Sequence, residues 1–290
     1  MASCTAGVPP AGPCQFTPAY RRDMQGLPAG RQRYNGFMIA GMADQKIAAL
    51  LAHIRSYCAA HGDRKQVARF ARYFREGFDA YGINDKDPDW PQQKKQWVAA
   101  NADLGLAGFL DLGDRLFESG KLEDGGLAVY FVAQFRDQFR RATFQRLGRW
   151  LDSGVRNWAH CDVLCGELLS RFLTDGIAKL DDMKAWRRSS AKYKRRAVPV
   201  AMLGLLKTEK DYRPLLEFIR PLMLDEERVV HQGLGWFLRE AWKKQPKPVE
   251  RFLMEYQQTA ARLIFQYATE RMTPEHRDRF RRAKPKKAGA

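Results

Sequence analysis

In the stretch RNWAHCDVLC, residues 156 to 165, Trp158 and Asp162 stand four apart, so a helix would stack an indole and a carboxylate on one face. The apolar stripe of that helix runs through Cys161, Leu164, Cys165, Leu168 and Phe172. Trp158 and Asp162 lie off it, followed on their own face by Gly166, and border a groove that a ligand can approach. A fixed negative charge beside an aromatic face suits a positive charge that develops during a reaction. The plainer alternative has Trp158 covering the edge of the core and Asp162 balancing a nearby arginine. Downstream, YKRRAVPVAML places Arg195 and Arg196 at a helix start, directed at the same groove if neighbouring hairpins stack. The planar fork of arginine matches phosphate, although a solvated basic turn would read the same way. In VVHQGLGWFLREAWKK, Gly233 and Gly235 each cost a helix about 1 kcal/mol against alanine, which points to close approach by a neighbouring helix or a ligand. Trp236 follows as either a core residue or a second aromatic wall, with Arg239 and Glu240 one turn on.

These segments need a helical frame. Apolar spacing is helical almost everywhere from Asp44 onward. It predicts helices over 44–60, 64–80, 91–101, 103–118, 123–137, 139–152, 156–174, 176–187, 191–206, 211–222, 226–243 and 246–271. Breaks fall at turn chemistry such as INDKDPDWP and ESGKLEDGG. With no persuasive strand pair, the class is all-α. Paired short helices at a spacing near 40 residues suggest an α-solenoid of HEAT-like hairpins curved around a basic concave cleft, able to hold a rod-like ligand. Residues 44–272 are expected to form this domain. Residues 1–43, with the run GVPPAGP, read as a tail, a transit-like leader or a segment before a start near Met42, and 273–290 as a basic solvated tail.

Of 290 residues, 50 are Lys or Arg and 33 Asp or Glu, a net charge of +17 that favours a polyanionic partner, nucleic acid before membrane. No apolar run approaches the roughly 18 residues of a spanning helix. Five irregularly spaced cysteines do not look like a disulfide framework, and a reducing, cytoplasmic setting is expected. His160, Cys161 and Cys165 cluster, but without a second ligand pair at zinc-like spacing, so neither metal nor other cofactor is expected.

Taken together, Trp158, Asp162, the RRA helix start and G-x-G-W-x-L-R-E in a basic helical array closely resemble the DNA alkylation repair family of HEAT-like glycosylases, from roughly Lys46 to Met272. The segment ARYFREGFDAYGIND adds Tyr73 at the position of the family's tyrosine. Where the family carries a DNA-contacting glutamine, this chain has the shorter Asn84. The resemblance implies that Asp162 is the catalytic carboxylate, Trp158 and Trp236 the flanking walls, and Arg196 the phosphate-binding arginine, with Arg195 a possible second contact. Tyr73 and Asn84 would line the lesion side. The implied partner is duplex DNA containing alkylated bases, bound by a monomer associated with the nucleoid. A purine alkylated at N3 or N7 is already cationic and leaves as a neutral base, so stabilising an oxocarbenium-like sugar and aiming a water are what remain. The motif holds no lysine to act as an amine nucleophile, which implies a monofunctional enzyme. A non-catalytic scaffold for distorted or branched DNA, and a scaffold for an acidic protein, are the competing expectations.

Overall fold

The computed structural model describes residues 29–282, with side chains from Gly41 onward. The chain divides into two compact units, Met1–Lys46 and Ile47–Ala290. Of the first, helical backbone from Ala29 is described, inside the stretch expected to be a tail; residues 1–28 lie outside the described residues. All the candidate site residues belong to the second unit.

Every regular element among the described residues is helical, and the all-α class holds. The chain runs through α1 (Ala29–His61), α2 (Arg64–Ala71), α3 (Asp89–Ala100), α4 (Gly105–Ser119), α5 (Leu122–Ala133) and α6 (Arg141–Ser153). Then come α7 (Trp158–Leu164), α8 (Ser170–Thr174), α9 (Lys192–Ala201), α10 (Arg213–Ile219), α11 (Arg228–Trp242), α12 (Pro246–Glu255), α13 (Arg262–Ala268) and α14 (Pro274–Asp278). Short 3₁₀ turns replace the helix expected over 176–187, at Leu180–Met183 and Ala185–Arg188. The helix expected over 246–271 is divided between α12 and α13.

Two departures shape the site. The helix expected to reach residue 80 ends at Ala71, and the chain crosses to α3 through turns in which Gly77 and Gly82 have φ of +100° and +85°, values a side chain would disfavour. Phe74 and Phe78, spaced as if helical, stack on each other at 4.4 Å instead. The second departure comes after Asp162. Asn157 caps α7 by accepting from His160 N at 2.8 Å, and the helix then widens into a π segment, Cys165–Leu169, before α8. A π turn advances the helix phase by one residue. Cys161, Leu164, Cys165, Leu168 and Phe172 are nevertheless all fully buried, whereas Gly166 faces open space.

α11 is clasped on both sides. A Cβ at Gly233 would press on Arg196 Cγ of α9 at 3.2 Å, and one at Gly235 would overlap Tyr267 Cβ of α13 and stand 2.9 Å from Ile264 O. Close helix approach is therefore the reason for both glycines. The stretch expected to be a solvated arm is partly packed: Thr273 caps α14, Phe280 is buried, and Arg262 and Gln257 donate to the carbonyls of Phe280 and Arg279. Apolar burial of Phe280 ties down backbone that composition alone marks as solvated. Among the described residues no helix is long and apolar enough to cross a membrane.

Candidate active site

The basic run of α9 shows how the site is held. Cations at a helix N-terminus oppose its dipole, and each one here meets an acid from a different segment. Lys192 pairs with Glu76 at 2.6 Å, Lys194 with Asp152 at 2.7 Å, Arg195 with Asp225 at 2.6 Å and Arg196 with Asp162 at 2.8 Å. Four contacts of opposite charge thus connect α9 to its surroundings, and the two enclosed pairs, those of Arg195 and Arg196, hold their side chains most firmly.

The Asp162 pair is the most enclosed of those that face the cleft. Arg196 donates from Nε to Oδ1 at 2.9 Å and from Nη2 to Oδ2 at 2.8 Å, the parallel two-bond geometry of arginine with carboxylate. Its third nitrogen donates to Val229 O at 2.6 Å. The Arg196 side chain is 6% exposed and that of Asp162 19%. Burial pushes the Asp162 carboxyl up from its ordinary range, and the Arg196 guanidinium opposes that rise. For Arg196 burial acts downward, but Asp162 outweighs it, and the guanidinium stays protonated.

Asp162 opens onto a cavity of about 600 Å³ whose lining also includes Trp158, Arg196, Trp236 and Tyr73. Five of the seven residues marked by the sequence therefore meet around one space. Trp158 is held by its own neighbours: its ring stacks on Phe74 at 5.1 Å and 12°, and its Nε1 donates to Tyr73 O at 3.3 Å. The turn-rich segment after α2 thus supplies the outer wall, while α11 supplies Trp236, half-buried, and Arg239. Arg239 is engaged by Glu240 at 2.9 Å and Glu270 at 2.6 Å.

Two of the seven are elsewhere. Arg195 does not share the cleft with Arg196, because successive helical residues point about 100° apart. Its guanidinium bonds Asp225 and the carbonyl of Ser189 at 2.7 Å. Asn84 is likewise outside the lining; its Oδ1 accepts from Lys86 N at 3.1 Å, closing a turn of its own. Arg196 itself is not a free phosphate ligand, since all three of its nitrogens have partners.

Other lining residues carried a signal that sequence reading passed over. Tyr193 is three before Arg196 and Gln232 four before Trp236, each on the same helical face as a residue already marked. Gln232 Nε2 donates to Tyr267 OH at 2.9 Å, which joins two more lining residues. Glu76, Arg72, Arg75 and Arg228 complete an exposed rim, and no periodicity could have placed the first three, which lie on a loop. Cys161 and Cys165 belong to the core, their thiols directed at Tyr193 O and Ala197 O. Among the described residues no group of three His, Cys, Asp or Glu side chains is placed to hold a metal ion.

The arrangement can therefore present a fixed, partly desolvated carboxylate, flanked by indoles, to a cationic group of a ligand whose anionic parts meet arginines at the rim. The family model described as DNA alkylation repair enzyme matches residues 54–272. The backbone is similar to a solved structure, a predicted DNA alkylation repair enzyme from Enterococcus faecalis, with a TM-score of 0.57 and 15% identity over 74% of this chain and 98% of that one. No curated protein matches significantly.

Proposed function

The chain belongs to the DNA alkylation repair enzyme family, and from that premise we propose that it hydrolyses the N-glycosidic bond of N3- or N7-alkylated purines in duplex DNA without cutting the strand. The observation that carries this reading is the convergence of Asp162, Trp158 and Trp236 on one cavity, with Asp162 oriented by the two bonds from Arg196.

Alkylation at N3 or N7 makes the base a cation, so the bond to C1′ breaks with release of a neutral base and little demand for a general acid. The sugar is left with positive charge shared between C1′ and the ring oxygen. Asp162 stabilises that charge and accepts the proton of the attacking water. Burial strengthens its field, and Arg196 removes the freedom of the carboxylate to turn away. Arg196 is therefore assigned to positioning Asp162 rather than to phosphate. Each indole face attracts the cationic base or sugar by roughly 0.5–2 kcal/mol, which favours the damaged nucleotide over a neutral one. Phosphate contacts fall to the exposed Arg72, Arg75 and Arg228, with Tyr73 beside them at the rim.

The test is release of free 7-methylguanine or 3-methyladenine from methylated duplex. Asp162→Asn is expected to lower the single-turnover rate about 10²- to 10³-fold and leave DNA affinity nearly unchanged. Intact DNA binding with no base release by the wild-type protein would instead favour a non-catalytic scaffold for distorted DNA.

A further inference from the structure

Of the carboxylates lining the cleft, one is Asp162 and the other is Glu76, which stands among Arg72, Arg75 and Arg228 on a rim otherwise suited to phosphate. Its position is built. Glu76 Oε2 accepts from Tyr193 OH at 3.1 Å and from Lys192 Nζ at 2.6 Å, contacts to the first turn of α9 that span 117 positions in sequence for the tyrosine. Tyr193 is itself buried and fixed, so the carboxylate is anchored over the cleft rather than left to solvent. Its loop neighbours Tyr73 and Phe74 are pinned to Trp158 at the same time.

We infer that Glu76 is a specificity-determining residue, which withholds Lys192 from the phosphates of undamaged DNA, because a phosphate could take Lys192 only by leaving a bare carboxylate at the cleft. The inference rests on the reading of the site as one for cationic lesions in duplex DNA. The Lys192 and Glu76 side chains are 32% and 42% exposed, and an ion pair so accessible to water contributes little by itself. What holds Lys192 back is the cost of replacing the pair, since a DNA phosphate can take the ammonium only by leaving the Glu76 carboxylate unneutralised. Kept in place by Tyr193, Glu76 would then face the strand without its neutralising partner. An undamaged strand meets a carboxylate that repels it, whereas a strand with a cationic base offers that carboxylate something to attract. Discrimination of this kind acts by weakening the wrong complex as much as by strengthening the right one.

Glu76→Gln removes the charge, keeps an acceptor for Tyr193 and changes an exposed side chain on a loop. Affinity for undamaged duplex, measured across a salt series, is expected to rise about threefold to tenfold. The slope of log K against log salt should steepen by about 0.9, the signature of one more phosphate contact. Undamaged competitor should then inhibit base release from methylated duplex more strongly than it inhibits the wild-type protein. Glu76→Gln combined with Lys192→Met should return the slope to the wild-type value. An unchanged slope in Glu76→Gln, or a steeper slope that survives loss of Lys192, overturns the inference. Failure of the wild-type protein to bind duplex at all would overturn the DNA reading as well, so the two failures are distinguishable.

Discussion

Asp162 is pulled in opposite directions by burial and by Arg196, and burial prevails, so its carboxyl titrates above the ordinary carboxylate range. The ionised form is the one that can stabilise a cationic sugar. On the proposed function, activity should therefore be full above that raised pKa and lost as the pH falls through it, which sets the direction of the acid limb. Single-turnover base release, corrected for spontaneous depurination, should show an acid limb displaced upward from the position of a solvent-exposed carboxylate. Arg196→Met leaves burial unopposed and should carry the limb further up, besides lowering the plateau. A limb that does not move in Arg196→Met would mean that Asp162 is not the titrating group. An arginine with a purely structural role would depress stability without shifting the pH profile.

The glycines of α11 make a sharper test of how elements hold the site, because the two are close in sequence but face different neighbours. Gly235→Ala forces a methyl against Tyr267 Cβ and the backbone oxygen of Ile264. Backbone cannot yield as a side chain can, and the loss is expected to be about 3 kcal/mol, read as a lower Tm in thermal unfolding. At Gly233 the methyl meets the side chains of Arg196 and Val200 at 3.2 and 3.3 Å, and alanine restores about 1 kcal/mol of helix propensity. Gly233→Ala should therefore unfold close to wild type yet lose base release, because Arg196 Cγ must move and takes Asp162 with it. The tight packing behind this contrast was legible in G-x-G-W; which helix met which glycine was not. Periodicity located the buried stripe from Cys161 to Phe172 even across the π turn, since each of its members is apolar and the pattern tolerates one added residue. It misplaced Phe74, because the spacing of Phe70, Phe74 and Phe78 fits a helix as well as it fits the turns after Ala71. It could not choose between Arg195 and Arg196 either, since that choice is made by Asp225 and Asp162, acids 30 and 34 residues distant in the chain. Local pattern fixes which face is apolar, and long-range pairing decides which polar group enters the site.

For the molecule as a whole, a net charge of +17 leaves little tolerance for further positive charge in the core. His160 is where acid would add one. Its ring is fully enclosed between α7 and the start of α5, with Nε2 against Lys121 O at 3.1 Å and the edge of Phe117 across it at 5.7 Å. Burial lowers its pKa from 6.5 to about 4, more than the carbonyls of Lys121 and Leu122 can restore. The unfolded chain therefore takes up a proton near pH 6.5, and the native one only near pH 4. His160 thus contributes stability that is fully present above pH 6.5 and is lost as the pH falls toward about 4, in total about 3 kcal/mol. The raised pKa of Asp162, and that of Asp124, which burial also pushes up, act with the opposite sign, because the native state takes those protons more readily than the unfolded one. Total stability against pH is consequently a sum of opposed terms, and the difference between wild type and His160→Gln isolates one of them. Denaturant unfolding of both proteins across this range should show the wild type losing stability relative to the variant as the medium is acidified, whatever their difference at pH 7. Parallel curves would mean that the ring is hydrated or charged in the native state, and that the junction of α5 with α7, which sets where Trp158 and Asp162 begin, is looser than its packing implies.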